Sequence, residues 1–260
     1  MKADIYFISD AHLGGDAPDI EEEKERRLFS FLRFIQGKAE ILYIIGDLFD
    51  FWFEYWNSIP NQYFQVLKAL SDVKESGTRI VFVPGNHDVW TGSYLEEEIG
   101  LEVHRSYCEA VPQGLSFFIS HGDGMAKGEG LYRIQKWIME NQLCIWLYKL
   151  LHPDIGIPLA RWVSKWSRNR SKNREPGWNS RIYKEAAIQQ LEKGYDVVVL
   201  AHIHHPALEK IGEKVYLNTG DWITNFSYGR LINGQLILET WSGNTVEKKG
   251  NEKPDSSSNA

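Results

Sequence analysis

Nine side chains of the kind that hold a divalent cation or move a proton recur in short motifs along this chain. They are Asp10 and His12, Asp47 and Asp50, Asn86 and His87, His121, and His202 and His204. Carboxylate, imidazole and amide oxygen suit hard or borderline divalent ions. The only cysteines, Cys108 and Cys144, imply neither a disulfide framework nor a thiolate site. Two ions about 3.5–4 Å apart need one carboxylate between them and separate ligands on each side. Asp47 stands centrally in the motif order and is the natural bridge. Asp10 and His12 can chelate one ion, Asn86 and His121 can reach the other, and His202 and His204 can give one ring to each. A His-x-His pair alone is more often a surface or structural feature, so the argument rests on all the motifs occurring together.

Each motif closes a short apolar run: residues 5–8, 41–45, 80–83, 115–119 and 197–200. Such runs, ended by Gly, Asn or Asp, read as buried strands entering loops. Sites in α/β proteins gather at the carboxyl ends of strands, so five strands are expected to deliver these groups to one edge of one sheet. Between them, residues 21–36 and 63–74 carry helical spacing, the first through Leu28, Phe31, Leu32 and Ile35. From Leu131 the apolar period becomes helical and continues to Leu151, with a break expected at His152-Pro153-Asp154 and a further helix at 159–171. Residues 180–193 read as a helix returning to the sheet, followed by short strands near 214–217, 227–232 and 235–241. The domain expectation is a core of residues 1–124 and 186–242, a helical lid at 125–185, and a disordered polar tail at 243–260.

The chain has 260 residues, 43% of them hydrophobic, enough for one large domain with an insertion. Its net charge of −6 is unevenly spread: residues 125–185 hold twelve Lys/Arg against five Asp/Glu, leaving the remainder at −13. An acidic body with a basic insert points to an anionic ligand met by the insert. No run of about 18 uncharged apolar residues spans a membrane. The first strand begins too early to leave room for a signal peptide, so a cytoplasmic protein is expected.

Taken in order, Asp10-x-His12, Gly46-Asp47-x-x-Asp50, Gly85-Asn86-His87-Asp88, His121 and His202-x-His204 resemble the calcineurin-like metallophosphoesterase superfamily over about residues 4–222. Ala201 stands where Gly commonly precedes the last pair, and Ala serves there if φ is negative. The resemblance implies an α/β fold, a four-layer α-β-β-α sandwich with an inserted helical cap. It also implies two divalent ions, Mn²⁺ first with Zn²⁺ or Fe²⁺ as the other candidates, on Asp10, His12, Asp47, Asn86, His121, His202 and His204. His87 is then the catalytic imidazole and Asp50 its orienting carboxylate.

Phe51-Trp52 follows Asp50 where protein phosphatases show Arg-Gly, and His121-Gly122-Asp123 is followed by Glu129-x-x-Tyr132. With the partly basic helical insert, these features look like the UDP-2,3-diacylglucosamine hydrolase branch. That implies cleavage of the diphosphate of a lipid-linked UDP-sugar, with Asn86, His87, Glu129, Ser167, Ser171, Arg174 and His202 meeting substrate. The lid, rich in Trp and Leu among basic residues, would meet the membrane's inner face. The chain departs from the branch at His87 (Arg there), Glu129 (Asp), Ser171 (Asn) and Arg174 (Lys), and Arg binds phosphate differently from Lys. The same residues admit another phosphodiesterase or a nuclease, or a scaffold with a silent site. Nucleic acid wants a basic groove on the body, and this body is acidic. No obligate protein partner is evident.

Overall fold

The computed structural model describes residues 3–126, 130–171, 178–243 and 246–248. Among the described residues, twelve strands form two sheets. In the larger, β1 (Asp4–Ile8), β2 (Ala39–Ile45), β3 (Arg79–Val83) and β4 (Glu102–Val103) run parallel. The outer side of β1 is extended antiparallel by β10 (Ser227–Ile232), β11 (Gln235–Trp241) and β12 (Val246–Lys248). In the smaller sheet, β6 (Phe117–Ile119), β7 (Val197–Leu200) and β9 (Lys214–Asn218) are parallel, flanked by antiparallel β5 (Cys108–Ala110) and β8 (Ala207–Ile211).

Side-chain alternation explains the layering, because successive residues of a strand face opposite sides. Ile5, Phe7, Tyr43, Ile45, Val81 and Val83 point inward and meet Phe117, Ile119, Val197 and Val199 of the smaller sheet. Tyr6, Ile8, Leu42, Ile44 and Phe82 point outward, against α1 (Pro18–Ile35) and α2 (Phe64–Glu75) through Phe31, Leu32, Leu67 and Leu70. A phenylalanine buried as Phe31 is (0% exposed) is worth about 3–5 kcal/mol against alanine. On the far side, Phe118, Val198, Leu200 and Tyr216 pack on α7 (Trp178–Glu192) through Ile182, Tyr183 and Leu191. The order of layers is helix, sheet, sheet, helix.

This corrects one expectation. The five motif-bearing strands do not share a sheet: β1, β2 and β3 lie in one, β6 and β7 in the other. Each run is apolar on both faces, so the sequence marks burial without revealing which strands pair. The shared edge is the common end of two stacked sheets.

Between β6 and α7 lie α4 (Gly130–Glu140), α5 (Gln142–Lys149) and α6 (Pro153–Ser171). Asn141 caps α5 by accepting the Leu143 N–H. The expected break at Pro153 is a helix start, since a proline in the first turn forfeits no intrahelical bond. The α6 helix continues through Pro158 rather than beginning after it. Helix α7 runs across the expected boundary at residue 185, and β12 pairs with β11 inside the segment expected to be disordered. Residues 249–260 lie outside the described residues. Among the described residues no helix is long and apolar enough to cross a membrane.

Candidate metal centre

The loops after β1 and β2 are stitched together by their backbones. Asp10 N–H donates to the Gly46 carbonyl (3.1 Å), His12 N–H to that of Asp47 (2.9 Å), and Asp50 N–H to that of Leu13 (2.9 Å). The price of this arrangement is backbone strain. Of eight non-glycine residues with positive φ among those described, five are Asp10, His12, Asp47, His202 and His204. Such conformations cost roughly 1–3 kcal/mol each and concentrate at functional sites. Ala201 is not among them, so it substitutes for Gly without strain.

Each of two buried carboxylates has one oxygen pinned and the other turned into the site. His87 N–H donates to Asp47 Oδ1 (2.8 Å), while Asp47 Oδ2 lies 3.5 Å from His12 Nε2 and 3.3 Å from His121 Nε2. His202 N–H donates to Asp10 Oδ2 (3.2 Å), while Asp10 Oδ1 lies 3.4 Å from His204 Nε2 and 3.7 Å from His12 Nε2. The imidazoles also meet in pairs, His12 with His204 at 3.3 Å and His121 with His202 at 3.1 Å. His121 Nδ1 lies 2.9 Å from the Ile45 carbonyl, and donation there aims Nε2 inward.

Three groups result, each with ligand atoms within 4.8 Å of one another: Asp10, His12 and His204; His12, Asp47 and His87; Asp47, His121 and His202. Asp10 Oδ1 and Asn86 Oδ1 are buried with no hydrogen-bond partner among the described residues. Oxygen and imidazole donors left facing one another with lone pairs unspent fit divalent cations.

Charge in the cluster is divided unevenly. Burial alone raises a carboxyl pKa and lowers an imidazole's. Against burial, the His121, His87 and His12 rings hold the Asp47 carboxyl well below the usual range. Against burial again, chiefly His204 brings Asp10 down to about 2. Burial would also strip His121 and His87 of their protons, but the Asp47 charge lifts His121 well above its ordinary value and His87 to about 9. His202, pushed down by burial and by His121, falls to about 4 and stays neutral. Cations are already favoured here, and a metal ion competes with the proton on His121.

His87 Nδ1 lies 2.8 Å from the Asp50 main-chain carbonyl and 3.5 Å from its carboxylate. Asp50 therefore meets the ring through its backbone first. Of the expected substrate contacts, Asn86, His87 and His202 gather at this site. Glu129 and Arg174 lie outside the described residues; Ser167 and Ser171 fall on α6, but their side chains are not described.

Two carboxylates escaped the sequence reading. Asp88 is completely buried and accepts N–H groups from Gly85 (2.7 Å), Asp47 (3.2 Å) and Leu48 (2.8 Å), clasping the β2 and β3 loops. Asp221 accepts from Ile223, Thr224 and Asn225 N–H, with its other oxygen 3.8 Å from His204 Nδ1. It belongs to Asn218-Thr219-Gly220-Asp221, a sixth strand-end cluster that the rule used for the other five would have found.

A family model described as calcineurin-like phosphoesterase matches residues 3–206. The UDP-2,3-diacylglucosamine hydrolase of Porphyromonas gingivalis is 32% identical, the alignment covering 92% of this chain and 98% of the relative. The hydrolase of the same name from Pseudomonas paraeruginosa is 29% identical, covering 84% and 90%. A solved archaeal phosphodiesterase superposes with a TM-score of 0.47 at 14% identity, covering 90% of this chain and 98% of that chain.

Proposed function

The chain belongs to the calcineurin-like phosphoesterase family, and from that premise we propose that it hydrolyses the diphosphate of UDP-2,3-diacylglucosamine. The products are UMP and 2,3-diacylglucosamine 1-phosphate, a lipid A precursor. The observation that carries the reaction class is Asp47 Oδ2 set between the rings of His12 and His121. The substrate reading is supported by similarity, along most of the chain, to hydrolases of that name.

Asp10, His12, Asp47 and His204 would hold one divalent ion, and Asp47, Asn86, His121 and His202 the other; Mn²⁺ is the proposed metal. Such ions would supply Lewis-acid polarisation of a phosphoryl oxygen and lower the pKa of water to about 7. With Nδ1–H directed at the Asp50 carbonyl, His87 presents Nε2 to the reacting group. In its protonated form, with Nδ1–H held by the Asp50 carbonyl and its carboxylate nearby, the ring would give a hydrogen bond or proton to a phosphoryl or leaving oxygen. Water oxygen bonds to one phosphorus and gives up a proton to solvent, the P–O–P bridge breaks, and the departing phosphate leaves with the bonding electrons and accepts the His87 proton. In this reading Glu129, Ser167, Ser171 and Arg174 grip sugar and phosphate from a helical lid, residues 125–185. Trp137, Trp146 and Trp162 are exposed on it among basic residues, which favours docking at the membrane's inner face.

Purified protein with Mn²⁺ and the UDP-lipid is expected to release UMP, to stop with chelator, to recover on Mn²⁺ addition, and to be inactive as Asp47→Asn. Good turnover of bis(p-nitrophenyl) phosphate without UMP release would leave a phosphodiesterase and remove the substrate.

A further inference from the structure

One helix outside the ligand set touches two of the metal-site loops. Lys136, on α4, donates to Asp123 Oδ2 at 2.7 Å, and the Asp123 side chain is only 3% exposed. Asp123 follows His121 by two residues. Three residues further along α4, the Met139 carbonyl accepts the Trp90 indole N–H at 2.6 Å. Trp90 follows His87 by three residues. The two contacts lie within one turn of α4, so that turn bridges the loop after β3 and the loop after β6. Trp90 also packs against the rings of Phe53 and Tyr148, with centroids at 5.2 and 5.1 Å.

The bridge has mechanical consequence because of the topology. Strands β3 and β6 lie in different sheets, so no strand ladder joins them directly. His121 is tied to β2 through the Ile45 carbonyl. The β3 loop is tied across to the same ring's loop by α4.

We propose that Lys136 and Trp90 are positioning residues through which α4 holds Asn86 and His121 at the separation one divalent ion requires. The inference rests on the ligand assignment made above for Asn86 and His121. It makes the first helix of the inserted segment part of the metal site's framework, so that helix placement and occupancy of the His121-side position are coupled.

Mn²⁺ titration of the full chain, followed by electron paramagnetic resonance of free and bound ion, tests this. Wild type is expected to bind two ions. Lys136→Met and Trp90→Phe should each weaken one of them by about tenfold to a hundredfold, as loss of outer-shell partners does, with the other unchanged. The sign is diagnostic. Deleting a cation acts through space to strengthen cation binding, whereas loss of positioning weakens it, and Trp90→Phe alters no charge. Lys136→Arg should restore binding, and Arg133→Met, on the same helix but exposed, should match wild type. Two ions bound at wild-type affinity by both variants would overturn the bridge while leaving the ligand assignment intact. So would Lys136→Arg as weak as Lys136→Met, or Arg133→Met as weak as either. A wild type binding fewer than two ions would remove the ligand assignment and this inference with it.

Discussion

His87 is held by the Asp50 carbonyl at 2.8 Å, and the nearby Asp47 charge outweighs burial to raise its pKa to about 9. In the metal-free protein, a histidine whose folded pKa exceeds its unfolded value near 6.5 adds stability that is fully present below about pH 6.5 and lost as pH rises through about 9. Its catalytic contribution has the same sign, since the protonated ring is the donor. Hence His87→Gln should lower kcat by about 10²–10⁴ and flatten the alkaline fall of the pH–rate profile; a full alkaline limb in the variant would assign the donor elsewhere. The nine chemically capable side chains were legible in sequence because each sits where an apolar run ends. Asp88 was not, although it stands inside Gly-Asn-His-Asp, because its work is to accept backbone N–H groups from Gly85, Asp47 and Leu48. Sequence shows that a carboxylate is present, not which backbone bends toward it. Lys24 is a similar case, buried with its ammonium 2.8 Å from the His12 carbonyl.

At the scale of elements, the site depends on loops approaching one another more closely than side chains permit. A Cβ on Gly46 would sit 2.5 Å from the Gly85 nitrogen and from His121 Nδ1, at φ +73°. A Cβ on Gly85 would sit 2.3 Å from Asp47 Oδ1, the atom that accepts the His87 N–H. Gly85→Ala should therefore cost about 1–3 kcal/mol in thermal or urea unfolding and displace the proposed bridging carboxylate. A variant with wild-type stability and wild-type Mn²⁺ binding would contradict that. The strands themselves could be read from their apolar runs, and β10 and β11 fall where expected. Their distribution over two sheets could not, because a strand buried on both faces carries no mark of its neighbour. The run of residues 49–53 shows the same limit: Phe49 and Trp52 enter the core beneath the larger sheet, while Phe51 and Phe53 turn toward Trp90 and Tyr148.

Across the whole molecule, the basic excess falls on the same segment as three of the four tryptophans exposed among the described residues. Trp137, Trp146 and Trp162 are 67, 51 and 66% exposed. A segment that both attracts anionic headgroups and inserts aromatics should bind anionic vesicles, with roughly 1 kcal/mol per Lys or Arg near the surface and weakening as salt rises. The triple Trp→Ser variant should sediment with such vesicles far less than wild type; equal sedimentation would remove the membrane-docking reading.

The name shared by the relatives leaves open which bond of the lipid is broken, whereas a carboxylate flanked by imidazoles favours phosphorus over an acyl carbonyl. Turnover of the UDP-lipid in ¹⁸O-water, with mass spectrometry of every product, decides it. The account predicts one ¹⁸O on the phosphate of either UMP or the sugar 1-phosphate, Mn²⁺-dependent and absent with Asp47→Asn. Label in a released fatty acid, or UMP and sugar phosphate both unlabelled, would contradict it.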